Sequence, residues 1–268
     1  MKNIKKRSPN NRNALSHNSQ EIWLYGKHSV FSALLKKRRK IFEILVTKNT
    51  QVELEKFLAK HNLLTTLKPV IKLADNEKIE KIIGLNQIHQ GLAANCSRLP
   101  IKNQNDLLEE LYALEKNQLP TLLLLDQLSD PHNVGAIIRS AASFGVTKVI
   151  FCEHSAPKEN ATIVKTSAGT IELIDLVVVV NFNNLIEKLK KIGYWCVGLA
   201  GEAKISVSEI KDYDNIALFI GSEGDGLRDL VKKNCDVLAR INIDKRVESL
   251  NASNAAAIAL YELSKRKL

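Results

Sequence analysis

The chain has 268 residues, of which 45% are hydrophobic and 25% are charged. These are ordinary globular values, so we expect a buried core in one large or two modest domains. No apolar run approaches the roughly 20 residues of a membrane-spanning helix, and the N-terminus lacks the apolar stretch of a signal peptide. Four cysteines stand far apart without metal-ligand spacing, which favours free thiols in a reducing cytoplasm and predicts no metal site.

The net charge of +10 is concentrated at the front of the chain. Residues 1–40 hold 11 Lys and Arg against one acidic residue, whereas residues 101–268 hold 20 basic against 22 acidic residues. A basic segment joined to a neutral body favours an acidic polymer as partner, because each neutralised phosphate releases counterions. The alternative is a solvated tail that only aids solubility. Charge alone does not separate RNA from DNA.

The first hundred residues predict a tail followed by a small domain. Residues 1–20 are polar and basic, and we expect them to be disordered. Over residues 21–98 short apolar runs alternate with amphipathic stretches, which indicates a compact α/β domain. Helices are expected at HSVFSALLKK, VELEKFLAKH and EKIEKIIG, and strands at IFEILVT and GLAANC. Residues 99–118 predict a linker with one amphipathic helix.

The alternation of strands and helices is clearer over residues 119–268. Strands are expected at TLLLLD, KVIF, IDLVVVV, YWCVGL, IALFIG and ARINI, with helices between them and one after the last. Near-continuous apolar strands separated by helices predict a parallel sheet that is covered on both faces. Ligands of such sheets bind beyond the carboxyl ends of the strands. Three polar segments that follow strands are therefore the candidate site.

The first two polar segments each join a strand to a helix. DPHNVGAIIR predicts a helix that starts near Asn133 or Val134, with Asn133 as a candidate cap, and it carries Arg139 among small residues. An exposed arginine on an amphipathic face is the alternative interpretation of Arg139. IGSEGDGL is a glycine-rich turn, but its Glu223 and Asp225 would repel a phosphate. A neutral or cationic ligand therefore fits the second segment better.

The third polar segment, VESLNASNAAAIALYEL, precedes the last predicted helix and gathers small polar side chains. Either Asn251 or Ser253 is expected to cap that helix. Ser249 and Asn251 flank Leu250, so the remaining polar groups are candidates for the wall of a site. The order and spacing of the three segments together are much more specific than any one of them.

In this order, NVGAIIR, IGSEGDGL and ESLNASNAAAI resemble the three motifs of the SpoU family of RNA ribose 2′-O-methyltransferases, within the SPOUT superfamily. TSAGTIE agrees with this resemblance, and residues 21–98 resemble the small ribosomal-protein-like substrate-binding domain of large-subunit rRNA guanosine methyltransferases. The resemblance implies a C-terminal α/β SPOUT domain with a parallel sheet and a deep trefoil knot. It also implies S-adenosylmethionine as methyl donor, ribosomal RNA as substrate and a homodimer.

The resemblance also assigns roles by motif position. Gly221, Ile241 and Leu250 would contact the cofactor through their backbones. Arg139 would orient the ribose hydroxyl and stabilise the developing alkoxide, because the very high pKa of a guanidinium makes arginine a poor base. The sequence departs from the family pattern at Asn242, where a proline is usual, and at Lys245, where a glycine is usual. We therefore expect a different backbone path for the loop over the cofactor.

The remaining motif residues would support the site through hydrogen bonds. Asn133 and Asn251 would hold backbone or nucleotide groups by their amides. Glu223 would fix either Arg139 or the motif loops through a charge-assisted hydrogen bond. Ser249 would form a hydrogen bond within the site.

Functions from three different classes are compatible with the residues. The leading one is large-subunit rRNA 2′-O-methylation, with tRNA ribose 2′-O-methylation as runner-up, against which the N-terminal domain argues. A non-catalytic RNA-binding ribosome-assembly factor is the second class, and the intact motif residues argue against it. A small-molecule or phosphate enzyme that uses the glycine-rich turn is the third, and it lacks any phosphate-binding motif.

Overall fold

The computed structural model of the chain describes residues 20–265, with the side chains of residues 211 and 212 left out. The predicted disordered tail of residues 1–20 lies outside the described residues, except for Gln20. Within this part of the chain, each helix is too short or too polar to cross a membrane.

The N-terminal half forms a four-stranded sheet in the order β1-β4-β2-β3, in which only β2 and β3 run parallel. Its strands are β1 (Glu21–Tyr25), β2 (Ile41–Val46), β3 (Ile71–Leu73) and β4 (Leu92–Ser97). Its helices are α1 (Lys27–Lys36), α2 (Lys48–Lys60), α3 (Leu64–Leu67) and α4 (Asn76–Ile83). Apolar side chains pack on both faces of the sheet, because successive residues of a strand point to opposite sides.

The C-terminal half forms a parallel sheet of eight strands in the order β10-β12-β9-β11-β6-β7-β8-β5. The strands are β5 (Ile101–Lys102), β6 (Leu122–Leu125), β7 (Lys148–Cys152), β8 (Asp175–Val179), β9 (Trp195–Leu199), β10 (Ile205–Ser206), β11 (Ile216–Ile220) and β12 (Val237–Arg240). The helices are α5 (Gln104–Tyr112), α6 (Pro131–Ser143), α7 (Ala161–Thr166), α8 (Phe182–Ile192), α9 (Asp229–Asn234) and α10 (Ala252–Ser264). The central strands β6, β7 and β11 are buried along their whole length, as a sheet with helices on both faces requires.

The predicted α/β class, with a parallel C-terminal sheet behind a small N-terminal α/β domain, is confirmed. One apolar cluster nevertheless includes side chains of both halves, from Leu24 and Val30 to Leu123 and Ile171. The two halves therefore share a packed interface. The knotted path of the C-terminal segment stays a prediction.

The segment of residues 99–118, predicted as a linker, is built into the large sheet. β5 pairs with β8 at the sheet edge, and α5 buries three leucines against the same face as α8. A capping box starts α5, in which the Asn103 side chain accepts from the Asp106 backbone and the Asp106 side chain accepts in return. The domain boundaries at residues 98 and 118 stay a prediction.

Helix α6 begins at Pro131, two residues before the predicted start. The Asp130 carboxylate caps it by accepting hydrogen bonds from the backbone N–H groups of His132 and Asn133. Pro131 suits the first helical position, because its missing N–H would have no partner within the helix there. The prediction that Asn133 caps this helix was therefore wrong. The Asn133 side chain has other partners, which lie in the candidate site.

Candidate active site

A cavity of about 570 Å³ opens beyond the carboxyl ends of β9, β11 and β12. Its volume is in the range of sites that bind cofactor-sized molecules, about 300–1,000 Å³. The wall consists of residues 199–202 at the end of β9, residues 220–227 at the end of β11, Lys232, and parts of 239–255 around the last loop. Gly221, Ile241 and Leu250, which the resemblance assigns to cofactor binding, all lie in this wall.

The glycine-rich turn forms one side of the cavity. Ser222 and Gly226 exchange both backbone hydrogen bonds, with N···O distances of 3.1 and 3.0 Å, and so close a tight loop. A Cβ atom on Gly221 would lie 2.0 Å from the Gly226 carbonyl carbon and 2.2 Å from the Leu227 nitrogen. Only glycine fits at position 221, because the two arms of the turn touch there. This close approach presents backbone groups to the cavity.

Asp126 anchors this turn to the neighbouring strand. It follows β6, is fully buried, and accepts hydrogen bonds from the backbone N (3.0 Å) and the Nε (2.8 Å) of Arg228. The hydrogen bond with Asp126 raises the pKa of Arg228. The sequence interpretation placed Asp126 at the end of a predicted strand and gave it no role in the site, although an acidic residue at the end of a run of leucines was the available signal. The turn and β6 are thereby held as one unit.

Three predicted residues meet in an amide–carboxylate cluster beside the cavity, formed by Asn133, Glu223 and Asn251. The Glu223 Oε2 atom accepts hydrogen bonds from Asn251 Nδ2 at 3.1 Å and Asn133 Nδ2 at 3.4 Å. Asn251 Nδ2 also donates to Asn133 Oδ1 at 3.0 Å. The cluster therefore joins all three motif segments, one residue from each.

Asn251 also starts the last helix. Its Oδ1 atom accepts a hydrogen bond from the backbone N of Ser253, so Asn251 is the cap of α10. This confirms the prediction that Asn251 or Ser253 has this role. The same side chain therefore orders the helix and contributes to the cluster.

The structure places Ser249 and Arg139 differently from each other. Ser249 lies in the cavity wall, and its hydroxyl has no hydrogen-bond partner within residues 20–265. Arg139 is exposed on α6 and is absent from the cavity wall. Glu223 contacts the motif loops and makes no hydrogen bond or ion pair with Arg139 in the part of the chain described. Of the eight predicted site residues, Arg139 is thus the one that lies outside both the cavity wall and the amide–carboxylate cluster.

Asn242 connects the loop over the cavity to a neighbouring strand. Its Oδ1 accepts a hydrogen bond from Arg240 Nε at 3.1 Å, and its Nδ2 donates to Ser206 Oγ at 3.4 Å. A proline at this position has no side-chain polar group and could not make either bond. The departure from the family pattern at Asn242 therefore adds a link between β10 and β12, while Ile241 remains in the wall. Lys245 is exposed in the same loop.

The cavity wall suits a polar ligand that carries positive charge. The Ser222 Oγ atom is buried and has no hydrogen-bond partner among the described residues, so a bound group can satisfy it. Acidic side chains outnumber basic ones in the wall, and Lys232 is already paired with Glu202 at 2.7 Å. S-adenosylmethionine, which has a sulfonium, fits such a wall. Within residues 20–265 no group of three or more His, Cys, Asp or Glu is arranged to hold a metal ion.

The fold and the cavity define an α/β enzyme with a cofactor site at the ends of its parallel strands. Residues 120–261 match the SpoU rRNA Methylase family. Residues 23–102 match the RNA 2′-O ribose methyltransferase substrate-binding family. The chain belongs to the SpoU rRNA methylase family, and the resemblance inferred from the three motifs is confirmed.

Similar proteins extend over almost the whole chain. It is 34% identical over 253 residues to the 23S rRNA (guanosine-2′-O-)-methyltransferase RlmB of Xylella fastidiosa, covering 93% of this chain and 98% of the relative. The Coxiella burnetii protein of the same name is 36% identical over 246 residues, covering 91% and 95%. The SpoU methyltransferase AviRb from Streptomyces viridochromogenes, solved with AdoMet, has a TM-score of 0.74 at 22% identity, covering 93% and 91%. This last likeness shows a shared fold.

Proposed function

We propose that this protein uses S-adenosylmethionine to methylate the ribose 2′-hydroxyl of a guanosine in large-subunit ribosomal RNA. The observation that carries the proposal is one cavity walled by Gly221, Ile241 and Leu250, with the amide–carboxylate cluster beside it. The names of the relatives from Xylella fastidiosa and Coxiella burnetii support ribosomal RNA and guanosine. The match of residues 23–102 to a substrate-binding family supports an RNA substrate.

The wall of the cavity would hold the cofactor chiefly through backbone groups. Gly221 has no side chain and can line the cavity only with backbone atoms, and we assign the same kind of contact to Ile241 and Leu250. Ser222 offers a buried hydroxyl that lacks a partner in the described residues. When bound, S-adenosylmethionine supplies an electrophilic methyl group. Backbone recognition depends on the shape of the turn. The hydrogen bonds by which Asp126 anchors that turn would therefore contribute to cofactor binding.

The polar side chains around the cavity would orient the RNA. Glu223 uses one carboxylate oxygen for Asn133 and Asn251, which leaves Oε1 to accept from a nucleotide hydroxyl or amine. Ser249 has its hydroxyl available in the wall. We assign Arg139 to the RNA, where its guanidinium stabilises the developing alkoxide or binds the adjoining phosphate. Orientation of donor and hydroxyl then supplies much of the rate.

We also propose that the active form is a homodimer in the cytoplasm. Helix α10 leaves Ile258 39% and Tyr261 51% exposed, and the Tyr261 ring lies 5.9 Å from that of Phe144 on the adjoining surface. Apolar groups collected on one face favour a protein partner, and a second copy of the chain supplies the same face. Four free cysteines support a reducing compartment.

The proposed activity is tested with labelled S-adenosylmethionine and separate transcripts of 23S rRNA and tRNA, followed by mapping of the methylated ribose. We expect transfer to one guanosine of the 23S transcript. Transfer to tRNA alone would replace ribosomal RNA by tRNA as substrate. Binding to RNA without any transfer would favour an assembly factor.

Arg139→Ala separates binding from chemistry in the same assay. We expect cofactor affinity to stay within about twofold, because Arg139 lies outside the cavity wall. Methyl transfer should fall by about a hundredfold, as for loss of one group that stabilises developing charge. Wild-type turnover in this variant would contradict the role given to Arg139.

A further inference from the structure

The basic run KKRRK, residues 36–40, lies at the interface between the two halves of the molecule. On charge alone this run is a candidate RNA contact. Lys36, Lys37 and Lys40 are exposed, whereas the side chain of Arg39 is 0% exposed and that of Arg38 is 24% exposed. The two arginines in the middle of the run are therefore directed into the protein.

Arg39 pairs with two buried carboxylates of the C-terminal half. Its Nε donates to Glu172 Oε1 at 2.6 Å, and its Nη2 donates to Glu159 Oε1. Glu159 and Glu172 are 3% and 0% exposed. The third donor, Nη1, bonds to the carbonyl oxygen of Ser97 at 3.0 Å, at the end of β4. The Arg39 guanidinium thus connects the N-terminal sheet to two separate segments of the C-terminal half.

Arg39 pairs directly with both carboxylates and so compensates their charge. Glu172 Oε2 is buried and has no hydrogen-bond partner among the described residues. Glu159 Oε2 accepts a hydrogen bond from the backbone N of Leu99 at 3.0 Å. Separation of the two halves would leave these groups uncompensated, so the arrangement favours one orientation of the halves over a range of them.

Close backbone packing at the same place limits the orientation further. Helix α1 lies on the TSAGTIE segment, where a Cβ on Gly169 would lie 2.6 Å from Ser32 Oγ and 2.8 Å from the His28 carbonyl oxygen. Arg38 continues this contact by donating to the Ile174 carbonyl oxygen at 2.7 Å and to Asp175 Oδ1 at 2.9 Å. The TSAGTIE segment therefore serves as the platform for the N-terminal domain.

We propose that Arg39 is a positioning residue that locks the N-terminal substrate-binding domain onto the catalytic domain through Glu159 and Glu172. The lock fixes the separation between RNA held by the N-terminal domain and the cavity where the methyl group is transferred. Its effect on RNA rests on the proposed function, whereas the fixed orientation of the domains does not. The KKRRK run is then divided, with Arg38 and Arg39 structural and the lysines facing solvent.

The orientation is tested by a distance between spin labels on cysteines introduced at Lys60 and Lys191, one exposed residue in each half. The half-buried Cys235 is replaced by serine in this background, and labelled protein is diluted with unlabelled protein so that only intrachain distances contribute. We expect one narrow distribution for the wild type and a broad one for Arg39→Met. Lys36→Met removes one charge from the same run without touching the interface, and its distribution should match the wild type.

Arg39→Met removes the cation that pairs directly with both buried carboxylates and can unfold the protein. The triple variant Arg39→Met/Glu159→Gln/Glu172→Gln removes this imbalance, and we expect it to fold with its domains uncoupled. Arg39→Lys, which keeps the charge, should recover part of the narrow distribution. A distribution as narrow as that of the wild type in the folded triple variant would overturn the lock.

Kinetics with 23S rRNA test the consequence for the reaction. In the triple variant we expect the KM for RNA to rise about tenfold, whereas the Kd for S-adenosylmethionine stays unchanged. If Lys36→Met raised the KM as much as the triple variant, the run would be an ordinary RNA contact and the positioning role would be wrong. If the wild type transferred no methyl group to RNA, the proposed function would fail, and the distance measurement would still decide on the lock.

Discussion

The side-chain amide of Asn251 both caps helix α10 and takes part in the amide–carboxylate cluster. Its oxygen accepts hydrogen bonds from the backbone N of Ser253 at 2.9 Å and from the Ser253 hydroxyl at 2.6 Å, and so caps α10. Its nitrogen donates to Glu223 and Asn133 beside the cavity. Substitutions that keep one end of the amide and lose the other can therefore separate the stability of the helix from the geometry of the site.

Asn251→Asp keeps an acceptor for the cap but loses the donor and brings a second carboxylate toward Glu223. We expect methyl transfer to fall at least tenfold, with the free energy of unfolding within about 0.5 kcal/mol of the wild type, because the Glu223 carboxylate is exposed to solvent. Asn251→Ala should lose the same activity and also about 1 kcal/mol of stability with the cap. Methyl-transfer rates and urea unfolding measure the two effects.

Ser253→Ala is the matched control for these two variants. It removes a hydroxyl that bonds Asn251 but leaves both donor contacts of Asn251 in place, so we expect activity close to that of the wild type. Unchanged turnover in Asn251→Asp would show that the hydrogen bonds to Glu223 and Asn133 do not support the reaction.

At the scale of single elements, the glycine-rich turn is the part of the cofactor site with the least tolerance for change. A methyl group on Gly221 would overlap the backbone of Gly226 and Leu227, so Gly221→Ala must open the turn. We expect binding of S-adenosylmethionine, measured by calorimetry, to weaken at least a hundredfold. Gly201 also lies in the cavity wall, but an added Cβ there has no heavy atom within 4 Å.

Gly201→Ala is therefore the control for Gly221→Ala. Its unfolding midpoint should equal that of the wild type, because the new methyl group meets no neighbour. Retention of cofactor affinity in Gly221→Ala would mean that the shape of the turn does not determine binding, and the assignment of Gly221 would be wrong.

The elements that the sequence predicted are those whose side chains carry a clear period. Each long buried strand of the parallel sheet was expected from an apolar run. The helices of the C-terminal half were expected too, and α5 is the amphipathic helix predicted within residues 99–118. β5 and β10 have two residues each, too few to show any period. β3 has three, and its pairing with β2 depends on the fold of the whole domain.

The site residues that belong to sequence motifs were predictable. The roles that depend on tertiary contacts were not. Asn133 was placed as a cap because asparagine favours that position, yet Asp130 before Pro131 competes better for it. Arg39 was counted only as one of the 11 basic residues among residues 1–40, because nothing in a basic run shows that two acids more than a hundred residues away will bury one member. Contacts of this kind become visible only in three dimensions.

Over the whole molecule, a second charge cluster crosses the domain interface at Asp175. Its carboxylate pairs with Arg38 of the N-terminal half, Lys102 of β5 and Lys148 of β7. Burial alone would raise the pKa of Asp175, but the hydrogen bond to Lys102 and the three nearby cations lower it below its usual value. The hydrogen bonds from Lys102 and Lys148 likewise lower the pKa of Glu110.

These lowered pKa values give the sign of the dependence of stability on pH. A carboxyl group whose pKa is lower in the folded state stabilises the fold at pH values above its unfolded pKa of about 4. That contribution is lost as the pH falls through the folded pKa. Burial raises the pKa of Glu172, whose contribution therefore changes in the opposite direction: it disfavours the fold above the raised pKa and ceases to do so at lower pH.

Asp175→Asn isolates the first contribution, because Glu172 is present in both proteins and its effect cancels in the difference. Near pH 7 we expect the variant to be less stable than the wild type by about 1–2 kcal/mol, from the loss of charge-assisted hydrogen bonds. That difference should shrink as the pH falls from about 4.5 toward 3, where Asp175 of the wild type takes up its proton. Urea unfolding at stepped pH measures both curves, and a difference that stays constant over this range would show that the Asp175 cluster does not hold the two halves together through its charge.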